Sequence, residues 1–225
     1  MAIELKSTKG LHANGVKILV YGNSGAGKTS LIASLPDPVV LSAEGGLLSI
    51  AGSDIPYIEI GSIEALYEAY DWIANSEDAK GFQSVALDSI SEIGEVVLNA
   101  EKKKTKDPRQ AYGALIEQMQ DLIRAFRDLP GRNVYFTAKC EQAKDEQGRM
   151  LYSPSMPGAR LGAQIPYFFD EVFALRVEKD ESGKNVRALQ CDTDGLWSAK
   201  DRSGKLDAWE EPDLGAVIAK IKGEE

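Results

Sequence analysis

A short glycine-rich segment contains the residue types that bind phosphate groups. Residues 22–29 have the sequence GNSGAGKT, which fits the pattern GxxxxGK[ST]. An apolar run at 16–21 precedes it and a helix-like run at 30–35 follows it, as this motif requires. Glycines let the backbone wrap around phosphates without Cβ clashes, and successive amides at a helix N-terminus attract the anion. The segment therefore predicts a nucleotide-binding loop.

The side chains that close this loop have separate predicted roles. Lys28 is expected to reach the β- and γ-phosphates, and the Thr29 hydroxyl is expected to ligate Mg²⁺. A glycine-rich turn with a chance lysine is the alternative, and the flanking strand and helix patterns argue against it. The predicted nucleotide contacts are Gly22, Asn23, Ser24, Gly25, Ala26, Gly27, Lys28, Thr29 and Ser30.

Two carboxylates end strand-like runs elsewhere in the chain. Asp88 follows four mostly apolar residues, as an acid that holds Mg²⁺ through water does; capping of the next helix is the alternative. Glu44 ends the strand-like run that follows the first helix. There it is a candidate base for the water that attacks a γ-phosphate, or else a solvated loop acid.

The remaining pattern predicts the fold that positions these groups. Strand-like runs alternate with helical patterns, which is typical of a parallel sheet covered on both faces. After the last buried strand at 133–138, hairpin patterns at 144–153 and 171–191 indicate antiparallel strands. We expect one α/β domain over residues 1–225, with an N-terminal extension at 1–14 and a C-terminal helical segment at 206–225.

Composition excludes several classes of protein. The net charge of −9 argues against a surface that binds polyanions throughout, although a local basic loop is still allowed. His12 is the single histidine and there are two cysteines, so zinc-ligand spacing and a disulfide framework are absent. No apolar run is long enough to cross a bilayer and no signal-peptide pattern is present. We expect a cytoplasmic protein without membrane contact.

The order of these motifs resembles that of RecA-type ATPases. The glycine-rich loop, the run 41–44 ending in Glu44, and the run 85–89 with its Asp88-Ser89 pair occur in the family's order. More closely, residues 14–205 resemble the compact bacteriophage RecA-like ATPases of recombination and single-strand annealing. The resemblance implies a three-layer P-loop core, ATP and Mg²⁺ as cofactors, and Glu44 as the catalytic base. If the protein is phage-encoded, its location is the bacterial host cytoplasm.

The resemblance also implies roles for cations nearer the C-terminus. The family senses the γ-phosphate at the end of the fourth core strand, where this chain departs from the usual Gln or His and has Lys139; a surface role is the alternative. Lys200 and Arg202 match a Lys-x-Arg-x-Gly element that reaches into the neighbouring subunit's nucleotide. That role implies self-assembly into a ring or filament with ATP at the boundary. A polar turn is the alternative.

Two segments occupy the positions of the family's DNA-binding loops. The first is the basic stretch between the helix after Asp88 and the next long helix, where lysines would neutralise phosphates and Tyr112 would stack on a base. The second lies between residues 140 and 162. A solvated loop is the alternative for the lysine run. The predicted DNA-binding residues are Lys102, Lys103, Lys104, Lys106, Arg109, Tyr112, Arg149 and Arg160.

These predictions favour a DNA-stimulated ATPase that acts on single-stranded DNA, with a phage single-strand-binding or annealing protein as a candidate partner. A GTPase switch is a weaker hypothesis, because residues 137–141 do not match Asn-Lys-x-Asp and Asp88 is not followed by the required glycine. A small-molecule kinase would need arginine-rich lid segments that the chain lacks. A nucleotide-dependent assembly protein with little turnover is the non-enzyme alternative.

Overall fold

The structure, a computed structural model, describes residues 15–224. The expected N-terminal extension, with His12, lies outside these residues. The strands are β1 (Lys17–Gly22), β2 (Pro38–Ser42), β3 (Tyr57–Glu59), β4 (Ser84–Asp88), β5 (Asn133–Lys144), β6 (Met150–Ser155), β7 (Glu171–Lys179), β8 (Asn185–Gln190), β9 (Lys200–Asp201) and β10 (Trp209–Glu210). The helices are α1 (Ile63–Asn75), α2 (Ile90–Lys104), α3 (Pro108–Arg127), α4 (Ala159–Gln164) and α5 (Leu214–Lys222), with 3₁₀ helices at Thr29–Ser34, Leu47–Ile50 and Ile165–Phe168.

All ten described strands belong to one sheet. Its order is β10-β8-β7-β1-β5-β4-β2-β3, with β6 paired to the outer half of β5 and β9 paired to β7. The strands from β7 to β3 along this order are parallel, whereas β6, β8, β9 and β10 are antiparallel to their neighbours. The predicted mostly parallel sheet with antiparallel C-terminal strands is therefore confirmed.

Helices cover both faces of the sheet, which gives three layers. Successive β1 residues point to opposite faces, so Leu19 and Tyr21 pack with α1, α2 and α3 while Ile18 and Val20 pack on the side of α5. The apolar face predicted for α3 is buried as expected, from Leu115 to Phe126. Within residues 15–224, no helix combines the length and apolar character needed to cross a bilayer.

Local capping sets the helix boundaries that position the site. The Ser62 side chain accepts a hydrogen bond from Ala65 N (3.2 Å), so α1 begins directly after Ser62. Ser89 caps α2 in the same way by accepting from Glu92 N (3.3 Å), directly after the carboxyl end of β4. Tyr67 lies off the buried face of α1 and is 52% exposed, because Ile63, Leu66, Ala69 and Ile73 form that face.

Three further sequence predictions are corrected by the structure. The run after the glycine-rich loop forms a 3₁₀ helix that ends before Pro36. The last parallel strand continues to Lys144, because its polar outer half pairs with β6 in the predicted hairpin. The run LWSA at 196–199 predicts an edge strand, but the strand lies instead at β9. The start of β7 pairs with residues 200 and 201, while Trp197 makes only an isolated bridge to Tyr152.

A buried carboxyl group lies where β9 joins the sheet. Glu171, the first residue of β7, is 1% exposed and is in register with Asp201, and its Oε2 has no hydrogen-bond partner within residues 15–224. Burial, reinforced by the negative charge of Asp201, raises the pKa of Glu171 from its usual 4.5 to about 8. Asp170 adds further negative charge, and the positive charge of Lys200 lies close enough to interact with Glu171. The protonated form is therefore the one the fold favours.

We expect Glu171→Gln to stabilise the protein at alkaline pH. A folded-state pKa above the unfolded value gives stability that is complete below about pH 4.5 and is lost as pH rises towards 8. The neutral amide avoids the buried charge, so the variant should gain on the order of 1–3 kcal/mol at pH 8.5 and much less at pH 5. Urea unfolding at several pH values measures this difference.

Glu178→Gln is the matched control, because Glu178 lies on the same strand with an exposed carboxylate paired to Arg176. Its unfolding free energy should follow that of the wild type across the pH range. If Glu171→Gln and the wild type showed the same pH dependence, the assignment of a neutral Glu171 would be wrong.

Candidate functional site

A cavity of about 870 Å³ lies at the carboxyl edge of the parallel strands. In register, Gly22 at the end of β1 faces Lys139 of β5, and Ser42 at the end of β2 faces Asp88 of β4. Parallel strands bring their carboxyl ends to one edge, so residues distant in sequence meet there. The lining includes Gly22, Asn23, Ser24, Gly25, Gly27, Lys28, Thr29, Ser30, Leu31, Glu44, Gly46, Ser49, Asp88, Lys139, Cys140, Leu175, Arg187 and Pro212.

The glycine-rich loop forms one wall of the cavity. Gly25 and Gly27 have φ values of +75° and +106°, which side chains other than glycine rarely adopt. Lys28 Nζ donates to the carbonyl oxygens of Gly22 (2.9 Å) and Asn23 (3.1 Å), so its ammonium group lies across the loop. Burial lowers the pKa of Lys28, while the carboxylates of Glu44 and Asp88 oppose that shift. The loop thus presents a partly desolvated cation to the cavity.

Two oxygen groups suited to a divalent cation meet at the end of β4. Thr29 Oγ1 donates to Asp88 Oδ2 (2.7 Å), and Thr137 Oγ1 donates to Asp88 Oδ1. The Asp88 residue is 3% exposed, so its carboxylate is held in one orientation. Hydroxyl and carboxylate oxygens are ligands that Mg²⁺ accepts, together with water and phosphate oxygens. These residues therefore fit the Mg²⁺ ion that accompanies a bound nucleoside triphosphate.

A second carboxylate, that of Glu44, lines the same cavity. Ser89 Oγ donates to Glu44 Oε1 (2.6 Å), and Lys139 Nζ is 3.9 Å from the same oxygen. Lys139 Nζ also contacts Glu92 Oε2 at 2.6 Å, and this hydrogen bond raises the pKa of Lys139. The Glu44 side chain remains 36% exposed, so water can reach it. The arrangement can hold and deprotonate a water molecule.

Sequence reasoning missed two side chains that contact the glycine-rich loop. Tyr135 of β5 donates its hydroxyl to Lys28 O (2.8 Å), and Arg187 of β8 donates through Nε to Ala26 O (2.8 Å). Arg187 also lines the cavity. Neither residue belongs to a motif, and Arg187 lies 161 positions from its partner, so no local signal identifies the contact.

A family model for an AAA domain matches residues 14–203. The chain belongs to this AAA domain family. No protein of established annotation matches the chain. Membership of the family indicates a nucleotide-binding ATPase, which agrees with the glycine-rich loop and its surrounding carboxylates.

The Lys-x-Arg element of this AAA domain lies away from the cavity. Lys200 pairs with Val172 and Arg202 N donates to Asp170 O, so both belong to the amino end of β7 rather than the carboxyl edge. Arg202 Nη1 forms a salt bridge with Asp170 Oδ1 (2.8 Å), and burial lowers the pKa of Lys200. Asp201 organises a turn by accepting from Ser203 Oγ and Gly204 N. Neither cation reaches the chain's own glycine-rich loop.

The first predicted DNA segment is more helical than the sequence suggested. Lys102, Lys103 and Lys104 form the last turn of α2, where cations favour the helix C-terminus. Only residues 105–107 connect α2 to α3, because Pro108 begins α3 and Asp107 caps it by accepting from Arg109 N (2.9 Å). The basic stretch predicted between the two helices is therefore mostly helical, and the connection itself is only three residues long.

Lys104 of that turn already has an acidic partner in the same helix. The side chain of Glu101 accepts from both Lys104 Nζ (2.6 Å) and Gln118 Nε2 (2.8 Å). Lys102, Lys103, Lys106 and Arg109 are exposed. We refer to these four exposed residues as the basic cluster.

The second predicted segment is an antiparallel hairpin followed by α4. Arg149 lies in the turn between β5 and β6, where Nε contacts Asp145 Oδ2 (2.7 Å), while Arg160 is exposed on α4. Tyr112 joins the two segments: Lys102 Nζ lies 5.8 Å from its ring centroid, and a Cβ at Gly158 would lie 3.4 Å from its ring. The structure thus brings Lys102, Tyr112 and the residues before α4 together, whereas Arg149 lies apart at the hairpin turn.

Proposed function

We propose that this AAA domain hydrolyses ATP at a boundary between copies of the chain and uses the bound nucleotide to control its grip on single-stranded DNA. The observation that carries the ATPase part is the placement of Thr29, Asp88 and Glu44 around one cavity behind the glycine-rich loop. A second observation, the contact of Tyr112 with both candidate DNA segments, supports the DNA part.

In the proposed reaction the chain's own residues bind, orient and deprotonate. Loop amides and Lys28 hold the phosphates, and Thr29 and Asp88 hold Mg²⁺, which neutralises charge on the phosphate oxygens. Glu44, oriented by Ser89, accepts the proton of the attacking water. Lys139, beside Glu44, stabilises charge at the γ-phosphate as a point charge.

Arg202 and Lys200 would act on a neighbouring copy. Because both lie at the amino edge of the sheet, they are too far from the cavity of their own chain to act there. In the proposed ring or filament, Arg202 would leave its salt bridge with Asp170 and contact the neighbour's nucleotide. An arginine supplied in trans stabilises transition-state charge and ties turnover to assembly.

A continuous set of contacts links the cavity to the proposed DNA surface. Lys139 N donates to Ser91 Oγ (2.9 Å), and Ser91 Oγ donates to Ser155 O (2.7 Å). Gly94 then permits close packing, since a Cβ there would lie 2.8 Å from Pro157 Cδ. Gly158, the next residue, contacts Tyr112. A shift of Lys139 towards a γ-phosphate would therefore move the backbone beside the basic cluster.

The resemblance to compact bacteriophage RecA-like ATPases supports a proposed role in phage-type recombination or replication. In that setting a single-strand-binding or annealing protein is the proposed protein partner. One subunit presents few phosphate contacts, so several subunits along a strand would be needed for tight binding.

Titration of a fluorescent single-stranded oligonucleotide, with and without a non-hydrolysable ATP analogue, tests the DNA part. We expect binding at low salt that tightens with the analogue. Charge reversal at Lys102, Lys103 and Lys106 should weaken binding about tenfold or more and reduce the slope of log K against log salt by roughly 3, about one unit for each lysine.

The control reverses three exposed lysines elsewhere: Lys80, Lys179 and Lys184. It changes the net charge equally, so binding that fell as far as in the basic-cluster variant would point to net charge alone. Absence of DNA binding at low salt, with and without the ATP analogue, would contradict the proposed DNA binding without contradicting the proposed ATP hydrolysis.

A further inference from the structure

Arg187 is a cation of the nucleotide cavity that the proposed chemistry does not use. It lies on β8, outside the parallel core, opposite Val177 of β7. Leu189, two residues along the same strand face, is fully buried in the core beneath the 3₁₀ helix that follows the glycine-rich loop. The buried half of the β7–β8 hairpin therefore fixes the position from which Arg187 reaches the cavity.

The guanidinium group lies directly over the glycine-rich loop. Nε donates to Ala26 O (2.8 Å), and a Cβ built on Gly27 would lie 3.3 Å from the same nitrogen. This one hydrogen bond orients the planar group and leaves Nη1 and Nη2 without protein partners among the described residues. Both nitrogens are donors that match phosphate oxygens.

The charge balance of the cavity also favours an anion beside Arg187. Lys139 is paired with Glu92, and Lys28 interacts with the carboxylates of Glu44 and Asp88. Arg187 forms no salt bridge with any residue in 15–224. An arginine that lines a cavity without an acidic partner is a ready site for a ligand's negative charge.

We propose that Arg187 contacts the α- or β-phosphate of the nucleotide held by its own chain, and so ties the β7–β8 hairpin to the nucleotide. This inference rests on the proposed nucleotide binding. Glu44, Asp88 and Lys139 line the part of the cavity assigned to the γ-phosphate, whereas Arg187 contacts the loop itself, at Ala26 and beside Gly27. The contact therefore binds ATP and ADP alike and takes no part in cleavage.

The test compares Arg187→Gln and Arg187→Lys with the wild type in binding of ATP, ADP and adenosine and in steady-state turnover. We expect Arg187→Gln to weaken ATP and ADP binding about tenfold and to raise KM similarly, with kcat changed less than about threefold and adenosine binding unchanged. The ATP and ADP affinities of Arg187→Lys should lie between those of the wild type and of Arg187→Gln, because a lysine keeps the charge but lacks the paired donors of a guanidinium group. Lys184→Gln, in the exposed hairpin turn, is the control and should match the wild type.

Amide hydrogen exchange separates a phosphate contact from a merely structural role. A non-hydrolysable ATP analogue should slow exchange at residues 178–186 in the wild type and not in Arg187→Gln, while still slowing exchange in the glycine-rich loop of both proteins. Wild-type ATP binding with an unchanged Arg187→Gln affinity would overturn this inference alone. A fall in kcat without a change in ADP affinity would also overturn it. No ATP binding by the wild type would remove the proposed function itself.

Discussion

Replacing Glu44 by Gln should reduce the rate of ATP turnover by about 10²–10³-fold. The amide can still accept the hydrogen bond from Ser89 Oγ, which Glu44 Oε1 receives at 2.6 Å, so its position should be preserved. It cannot accept a proton from the attacking water, and that loss accounts for the expected effect. Phosphate release at saturating ATP measures kcat, and ATP affinity should stay within about threefold of the wild-type value.

Glu92→Gln is the matched control for this substitution. Glu92 is the other carboxylate that contacts Lys139, at 2.6 Å, but it is not among the residues that line the cavity. Its replacement tests whether the charge around Lys139 matters, and we expect a change in kcat of less than about fivefold. Unchanged turnover in Glu44→Gln would instead favour the assembly protein with little turnover, in which no residue serves as a base.

Lys28→Ala should weaken ATP binding by about 100-fold or more, because hydrogen bonds to charged groups contribute roughly 1.5–3 kcal/mol each. The Lys28 ammonium donates to the carbonyl oxygens of Gly22 and Asn23, so it also satisfies these two hydrogen-bond acceptors at the start of the loop. Turnover at any accessible ATP concentration should fall with the loss of binding. Calorimetric titration with ATP and Mg²⁺ measures the change in affinity.

Lys139→Ala removes a lysine that lines the same cavity but lies on β5, and serves as the comparison. Lys139 lies with Glu44 and Glu92 at the end assigned to the γ-phosphate, so its loss should leave ADP affinity within about threefold. Urea unfolding of both variants checks that the fold is intact. Nucleotide affinity of Lys28→Ala equal to that of the wild type would show that the loop is not the phosphate site.

The central part of the site could be predicted because parallel strands bring together what the sequence separates. Lys28, Glu44 and Asp88 each follow a recognisable apolar run, and a parallel sheet leaves one edge where such runs end together. Local patterns sufficed for these residues because each pattern marks the end of a buried strand.

Other features depended on contacts that no local pattern encodes. The polar outer half of β5 has no apolar period, and it is a strand only because β6 pairs with it. Lys102, Lys103 and Lys104 suggested a loop by charge, yet their high helix propensity keeps them in the last turn of α2. Asp107 caps the start of α3, so the connection between the two helices is short. Arg187 was missed because only the antiparallel pairing of β7 and β8 brings it to the loop.

One strand joins two regions that are under different constraints. The first six residues of β5, Asn133 to Ala138, are buried, whereas most of the following six are exposed in the hairpin with β6. Substitutions in the inner half change the free energy of unfolding, while those near the turn leave it almost untouched. The outer hairpin can therefore diverge in sequence to suit a new ligand, while its direction and starting point stay fixed by the anchored half.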